Sequence, residues 1–322
     1  MKKIKKESVA MAIAIATLCC CICAVGLNIS QRVVWANETK TVAEVASGVE
    51  VSEEPLTFEH HESDKYYLLT TNDQLVYDTI VEMSLKILNG EEYNKNLFFT
   101  FGIGTVDCLN VYRTLEADCD WLIWWAPELH WETKDYGSDG FTVNMVSPYD
   151  DENGKIQEKI LEKAIASVKM ARQFAKSVEG KSVKTQLMLF SNYVAQCTEY
   201  NYYTTEHYFD NTEYVLDSKN FISVFDGNDE STSICTGYAS AMQLLCYLNG
   251  IKCYRVYGYV NTEDDDHAWN KVIINNQEYL FDITFADKGD VLDDSYILTP
   301  IDGDKYKIDT DKYVEIANVL AG

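Results

Sequence analysis

The sequence predicts an α+β protein whose C-terminal half sets a cysteine-bearing helix against an antiparallel sheet, preceded by a small α+β region. Three features carry this expectation. Cys235 opens an amphipathic run through Met242, Leu245 and Leu248 that stops at Asn249-Gly250, a helix with a glycine end. Extended segments follow closely, one over residues 251–260 and a pair, Ala268 to Ile274 and Tyr279 to Thr284, about an Asn275-Asn276 turn. Upstream, helical spacing alternates with short apolar runs.

Taken in order, the chain opens with an export signature. Lys2, Lys3, Lys5 and Lys6 precede an apolar run from Val9 to Leu27, and Val34-Trp35-Ala36 suits a cleavage site. Residues 1–36 are therefore expected to be a signal peptide. The apolar run is also long enough for a retained membrane anchor. No lipobox surrounds Cys19 to Cys23. The expected location is extracellular or at the cell surface.

The 322-residue chain carries 27 Lys and Arg against 51 Asp and Glu, a net charge of −24. Removing residues 1–36 leaves 22 basic and 50 acidic side chains, or −28. That balance argues against nucleic acid and anionic lipid as partners, because phosphate binding rests on Lys and Arg, and no membrane contact is expected beyond an N-terminal anchor. Six cysteines remain beyond the export segment: Cys108, Cys119, Cys197, Cys235, Cys246 and Cys253. Export permits disulfides, but a working thiol at Cys235 leaves an odd number for pairing. No Cys-x-x-Cys or closely spaced His pair suggests zinc. Cys246 and Cys253 read as core packing. No metal or cofactor is expected.

Residues 37–62, with Glu53-Glu54-Pro55 and His60-His61, read as a polar linker. Residues 63–150 read as a small α+β domain. Val76, Ile80, Met83 and Ile87 form a helix stopped by Asn89-Gly90, and strands are expected at Leu97 to Phe101, Trp121 to Trp125 and Phe141 to Val146. His130 and Trp131 read as surface and packing residues. Residues 151–322 hold the candidate site and the helices before it. Ile156, Ile160, Ala164 and Val168 mark a helix ending by Gly180, and Ser182 caps another through Val183, Leu187, Phe190 and Val194. A tyrosine-rich stretch then leads to Phe221 to Phe225, expected to be a strand.

Chemistry concentrates between Ser231 and Asp287. A cysteine in a helical first turn faces unpaired N–H groups and the positive end of the helix dipole, which lower a thiol pKa. The same N–H groups suit an oxyanion. Burial as an inert thiol is the commoner fate of cysteine. Gly237 leaves backbone room for a substrate. A two-residue turn pairs Ile274 with Gln277 and puts His267 opposite Thr284, with Asp282 diagonal on the same face. The hairpin can thus set a carboxylate against an imidazole whose other nitrogen serves Cys235. Glu263-Asp264-Asp265-Asp266 read as a solvated loop rather than a calcium site. Their charge can raise the His267 pKa.

The segments Ile234-Cys235-Thr236-Gly237-Tyr238-Ala239, Gly250-Ile251, His267-Ala268-Trp269-Asn270 and Tyr279-Leu280-Phe281-Asp282-Ile283-Thr284 resemble the transglutaminase-like superfamily, in particular its exported bacterial members. The helix from Ser182 to Thr198 followed by Glu199-Tyr200-Asn201 is similar to the segment that precedes the core in that family. The resemblance spans residues 182 to 300. It implies a papain-like fold, with Cys235 as nucleophile, His267 as base and then acid, and Asp282 as its orienter. It further implies a thiol-dependent acyl-transfer enzyme acting on a protein or peptide substrate, a peptidase or amidase with water or a crosslinking transferase with an amine. The alternative is a non-catalytic surface protein that uses the same scaffold for binding.

Overall fold

The computed structural model describes residues 31–309 apart from 52–53, 63, 127–129, 262–265 and 290. Most of the segment read as an export signal therefore lies outside the described residues, as do Glu263, Asp264 and Asp265. Among the described residues no helix is long and apolar enough to cross a membrane.

Helix α1 covers residues 31–46. It departs from the expected linker at 37–62 because its side chains find partners on the main body. Ala36, Thr39 and Ala46 are buried. Gln196 Nε2 donates to the Ala36 carbonyl, and Lys181 pairs with Glu38. Val34-Trp35-Ala36 thus lies inside this helix. The chain beyond it is also fastened, with Leu56 buried and Phe58 stacked on Tyr247.

Helix α2 (Thr71–Leu88) starts where the Thr70 hydroxyl accepts the Asp73 N–H, and it buries Val76, Ile80, Met83 and Ile87. Strand β1 (Asn96–Phe99), helix α3 (Cys108–Cys119), and strands β2 (His130–Asp135) and β3 (Phe141–Val146) follow. The strands form an antiparallel sheet in the order β1-β3-β2. His130 and Trp131 open β2; their side chains lie outside what is described. Trp121 to Trp125 is not a strand. A 3-10 turn over Asp120–Leu122 and the turn after it bury every side chain from Trp121 to Ala126. An unbroken apolar run fits a buried turn as well as a strand, since it has no period.

Helices α4 (Glu158–Ser177) and α5 (Val183–Cys197) come next, the second capped by Ser182, whose hydroxyl accepts the Thr185 N–H. Short pieces follow: β4 (Glu199–Tyr200), α6 (Tyr202–Glu206), α7 (Glu213–Asp217), α8 (Ile222–Phe225) and β5 (Thr232–Ser233). The expected strand at Phe221 to Phe225 is α8 instead. Asn220 starts that turn by accepting the Ile222 N–H and donating back to Leu216.

Helix α9 (Cys235–Leu248) packs on the five-stranded antiparallel sheet β10-β6-β7-β8-β9, made of β6 (Cys253–Val260), β7 (Asp266–Ile274), β8 (Gln277–Phe281), β9 (Ile297–Thr299) and β10 (Tyr306–Ile308). Helix α10 (Ile283–Ala286) interrupts the path from β8 to β9. Residues of both expected domains share one apolar core, from Ala46 through Val76, Trp121 and Phe190 to Leu245 and Ile297. Arg255 of β6 pairs with Glu116 and, at 2.7 Å, with Asp120 beyond α3. Gln243 of α9 donates to the carbonyls of Ala117 and Cys253. The six cysteines of the described chain are free thiols, with Cys119, Cys246 and Cys253 buried.

Candidate active site

Cys235 is the first residue of α9. Its preceding strand is pinned by Ile234 N–H to Ser218 O at 2.9 Å and Ser233 Oγ to Ser218 O at 3.1 Å. Ile234, at the N-cap, supplies no side-chain oxygen to the first turn. Helix geometry leaves the leading N–H groups of this turn, which begins at Cys235, without intrahelical partners. Gly237 does not open space for a substrate, as its sequence position suggests. A Cβ there would sit 2.1 Å from Ser233 Oγ and 2.8 Å from Ser218 O, so this glycine permits the helix to touch the strand before it.

His267 is the second residue of β7, opposite Gly258 of β6. Its ring stacks on Phe285, with centroids 4.4 Å apart. The hairpin turns at Asn275-Asn276, both left-handed with φ of 50° and 63°, and Ile274 pairs with Gln277 as expected. However, β8 ends at Phe281, so no pair of His267 with Thr284 forms. Asp282 leaves the sheet and caps α10, accepting the Phe285 N–H at 3.0 Å. A short Asx cap thus aims the carboxylate back at the imidazole.

The three residues meet in a nearly dry place; Cys235 is 9% exposed, His267 5% and Asp282 1%. His267 Nε2 lies 3.0 Å from both Asp282 oxygens. A carboxylate only accepts, so Nε2 carries the proton and Nδ1 is left for the thiol. Cys235 lies close enough to the imidazole to raise its pKa. Burial lowers the His267 pKa, but the Asp282 charge and hydrogen bond and the Cys235 contact outweigh it, and the value is pushed up to about 10. The site therefore favours imidazolium beside sulfur at neutral pH.

Several residues escaped sequence reasoning. Tyr306 of β10 donates its hydroxyl to Asp282 Oδ2 at 2.8 Å and packs edge-on against Trp269. No motif marks it, because its role depends on β10 pairing with β6. Phe285 covers the imidazole. Asn270 Nδ2 donates to the Ala239 carbonyl at 3.0 Å, tying β7 to α9. Among the described residues no group of three His, Cys, Asp or Glu side chains is arranged to hold a metal ion.

Residues 169–281 match the family model of the transglutaminase-like superfamily. The matched stretch contains Cys235 and His267 and ends one residue before Asp282. No curated protein matches the chain in sequence. A crystal structure from Cytophaga hutchinsonii, described as that of a candidate cysteine protease, is 16% identical with a TM-score of 0.27. The likeness covers 49% of this chain and 63% of that one, so the chain spans less than two thirds of the solved protein's length.

Proposed function

From a chain whose residues 169–281 match the transglutaminase-like family model, we propose a thiol-dependent acyl-transfer enzyme that acts on peptide or amide bonds, exported to the cell surface or beyond. The observation that carries this reading is one imidazole 3.0 Å from a carboxylate and within electrostatic reach of a thiol at a helix start. Cys235 sulfur, as thiolate, adds to the carbonyl carbon of the substrate. The oxygen takes up the charge and meets first-turn N–H groups of α9. His267 then gives its Nδ1 proton to the departing amine, the C–N bond breaks, and a thioester remains on Cys235. For the second half His267 removes a proton from water, which releases a carboxylic acid and the thiol. Asp282 holds the imidazole orientation and stabilises its cationic form throughout.

Hydrolysis is the outcome we favour; an amine in place of water gives a crosslinked amide through the same residues. The deciding test incubates the protein with a glutamine-containing peptide and a labelled primary amine, with Cys235→Ala as control. Release of free acid without label expresses hydrolysis. Stable incorporation of label assigns the transferase. If neither product depends on Cys235, acyl transfer is wrong.

A further inference from the structure

The segment from Glu199 to Tyr214 is stitched to the strand that delivers Cys235. Tyr200 pairs with Ser233 in a parallel bridge, and Asn201 N–H donates to Ser233 O at 2.8 Å. The Tyr214 hydroxyl meets Thr232 Oγ1 at 2.8 Å. Tyr200 is close enough to feel the charges of Cys235 and Asp282. On this base stand rings that the fold does not bury: Tyr202 is 75% exposed, Phe209 74%, Tyr203 51% and Tyr214 49%. Tyr200 meets Tyr202 with ring centres 4.9 Å apart, and Tyr203 meets Tyr214 at 6.1 Å. A cluster of exposed aromatic rings beside a nucleophile is a surface built to be covered.

Charge indicates what covers it. Residues 198–218 contain five Asp and Glu side chains and no Lys or Arg. Glu213 and Asp217 are taken up by Lys159 and Lys163, whereas Glu199, Glu206 and Asp210 are exposed. One ring of the segment already carries an ammonium group, since Lys219 Nζ lies 3.9 Å from the centre of the Tyr208 ring. Negative ring faces flanked by carboxylates attract cations by both effects, and such a surface repels an acidic peptide.

We propose that this tyrosine-rich shelf is a subsite for a Lys- or Arg-bearing stretch of the peptide acyl donor, held while its carbonyl reaches Cys235. The proposal rests on the acyl-transfer reading above. It is tested by competition against acylation of Cys235 in the full chain by a reactive ester, followed as a burst. Three competitors are compared: a Lys/Arg-rich peptide amide, its Glu/Asp counterpart of equal length, and a neutral oligosaccharide. The basic peptide is expected to slow acylation with an apparent affinity about 10-fold tighter than the acidic one. Salt should narrow that gap. Tyr202→Ala/Tyr203→Ala, and separately Glu206→Gln/Asp210→Asn, should bring the ratio toward one. Equal inhibition by both peptides, no inhibition by either, inhibition by the oligosaccharide instead, or a ratio unchanged in both double variants would overturn the subsite while the burst keeps acyl transfer standing. A folded protein with no burst at all removes the acyl-transfer reading and the subsite with it.

Discussion

At His267 two effects oppose each other. Burial works against a charged imidazole, while the Asp282 carboxylate and the Cys235 sulfur work for it, and the latter prevail. The folded pKa is raised from 6.5 to about 10, so the proton stabilises the fold. That contribution is complete below about pH 6.5, declines between 6.5 and 10, and is gone above. Amide acylation needs the imidazolium proton for the leaving amine and should fall as pH approaches 10. Alkylation by iodoacetamide needs only thiolate and should not fall there. Parallel pH profiles of the two reactions, together with the His267 NMR titration, check this; a His267 midpoint near 6.5 contradicts it. The carboxylate has its own dependence. Tyr306→Phe removes one donor from buried Asp282 and is expected to cost about 1.5–3 kcal/mol in urea unfolding, with a smaller loss of acylation than Asp282→Asn.

The elements that place these residues were legible in unequal measure. Helix α9 was readable from its apolar spacing and glycine stop, and the β7–β8 register from Asn275-Asn276, because both follow from local backbone rules. The exit of the chain at Asp282 was not. Asp282 has a local alternative to the strand in capping α10, and strand periodicity does not report it. The same limit hid Trp121 to Trp125, an unbroken apolar run, and Phe221 to Phe225, apolar but for Ser223; both are too short to show a period that distinguishes turn, helix and strand. Gly237 was legible as a glycine with a purpose but not which one, since its neighbours Ser233 and Ser218 are set by tertiary structure. Gly237→Ala should therefore shift the start of α9. We expect about 1–3 kcal/mol of destabilisation and a slower burst, measured by thermal melting and ester acylation. An alanine variant with wild-type stability and burst would show that the contact yields freely.

For the whole molecule, composition and motif spacing indicated separate N-terminal and catalytic parts, but the buried side chains of both make one core. Long-range pairs such as Arg255 with Glu116 and Asp120 cannot be read from spacing. Arg255→Met leaves two buried carboxylates without their cation and should cost about 3–5 kcal/mol. A fragment of residues 151–322 exposes the apolar surfaces of α9 and the sheet that α3 and the Trp121 turn cover. It is expected to lack a cooperative thermal transition, whereas the full chain melts as one unit by tryptophan fluorescence and by circular dichroism. A cooperatively melting fragment would restore the two-domain division.

The central claim is that Cys235, His267 and Asp282 act as one chemical unit. Single-turnover acylation by a reactive ester, with the adduct located by mass spectrometry, tests it most directly. Acyl transfer predicts an adduct on Cys235, none in Cys235→Ala, a loss of at least about 10²-fold in His267→Ala, and a smaller loss in Asp282→Asn. A folded His267→Ala protein that acylates Cys235 at the wild-type rate would contradict it.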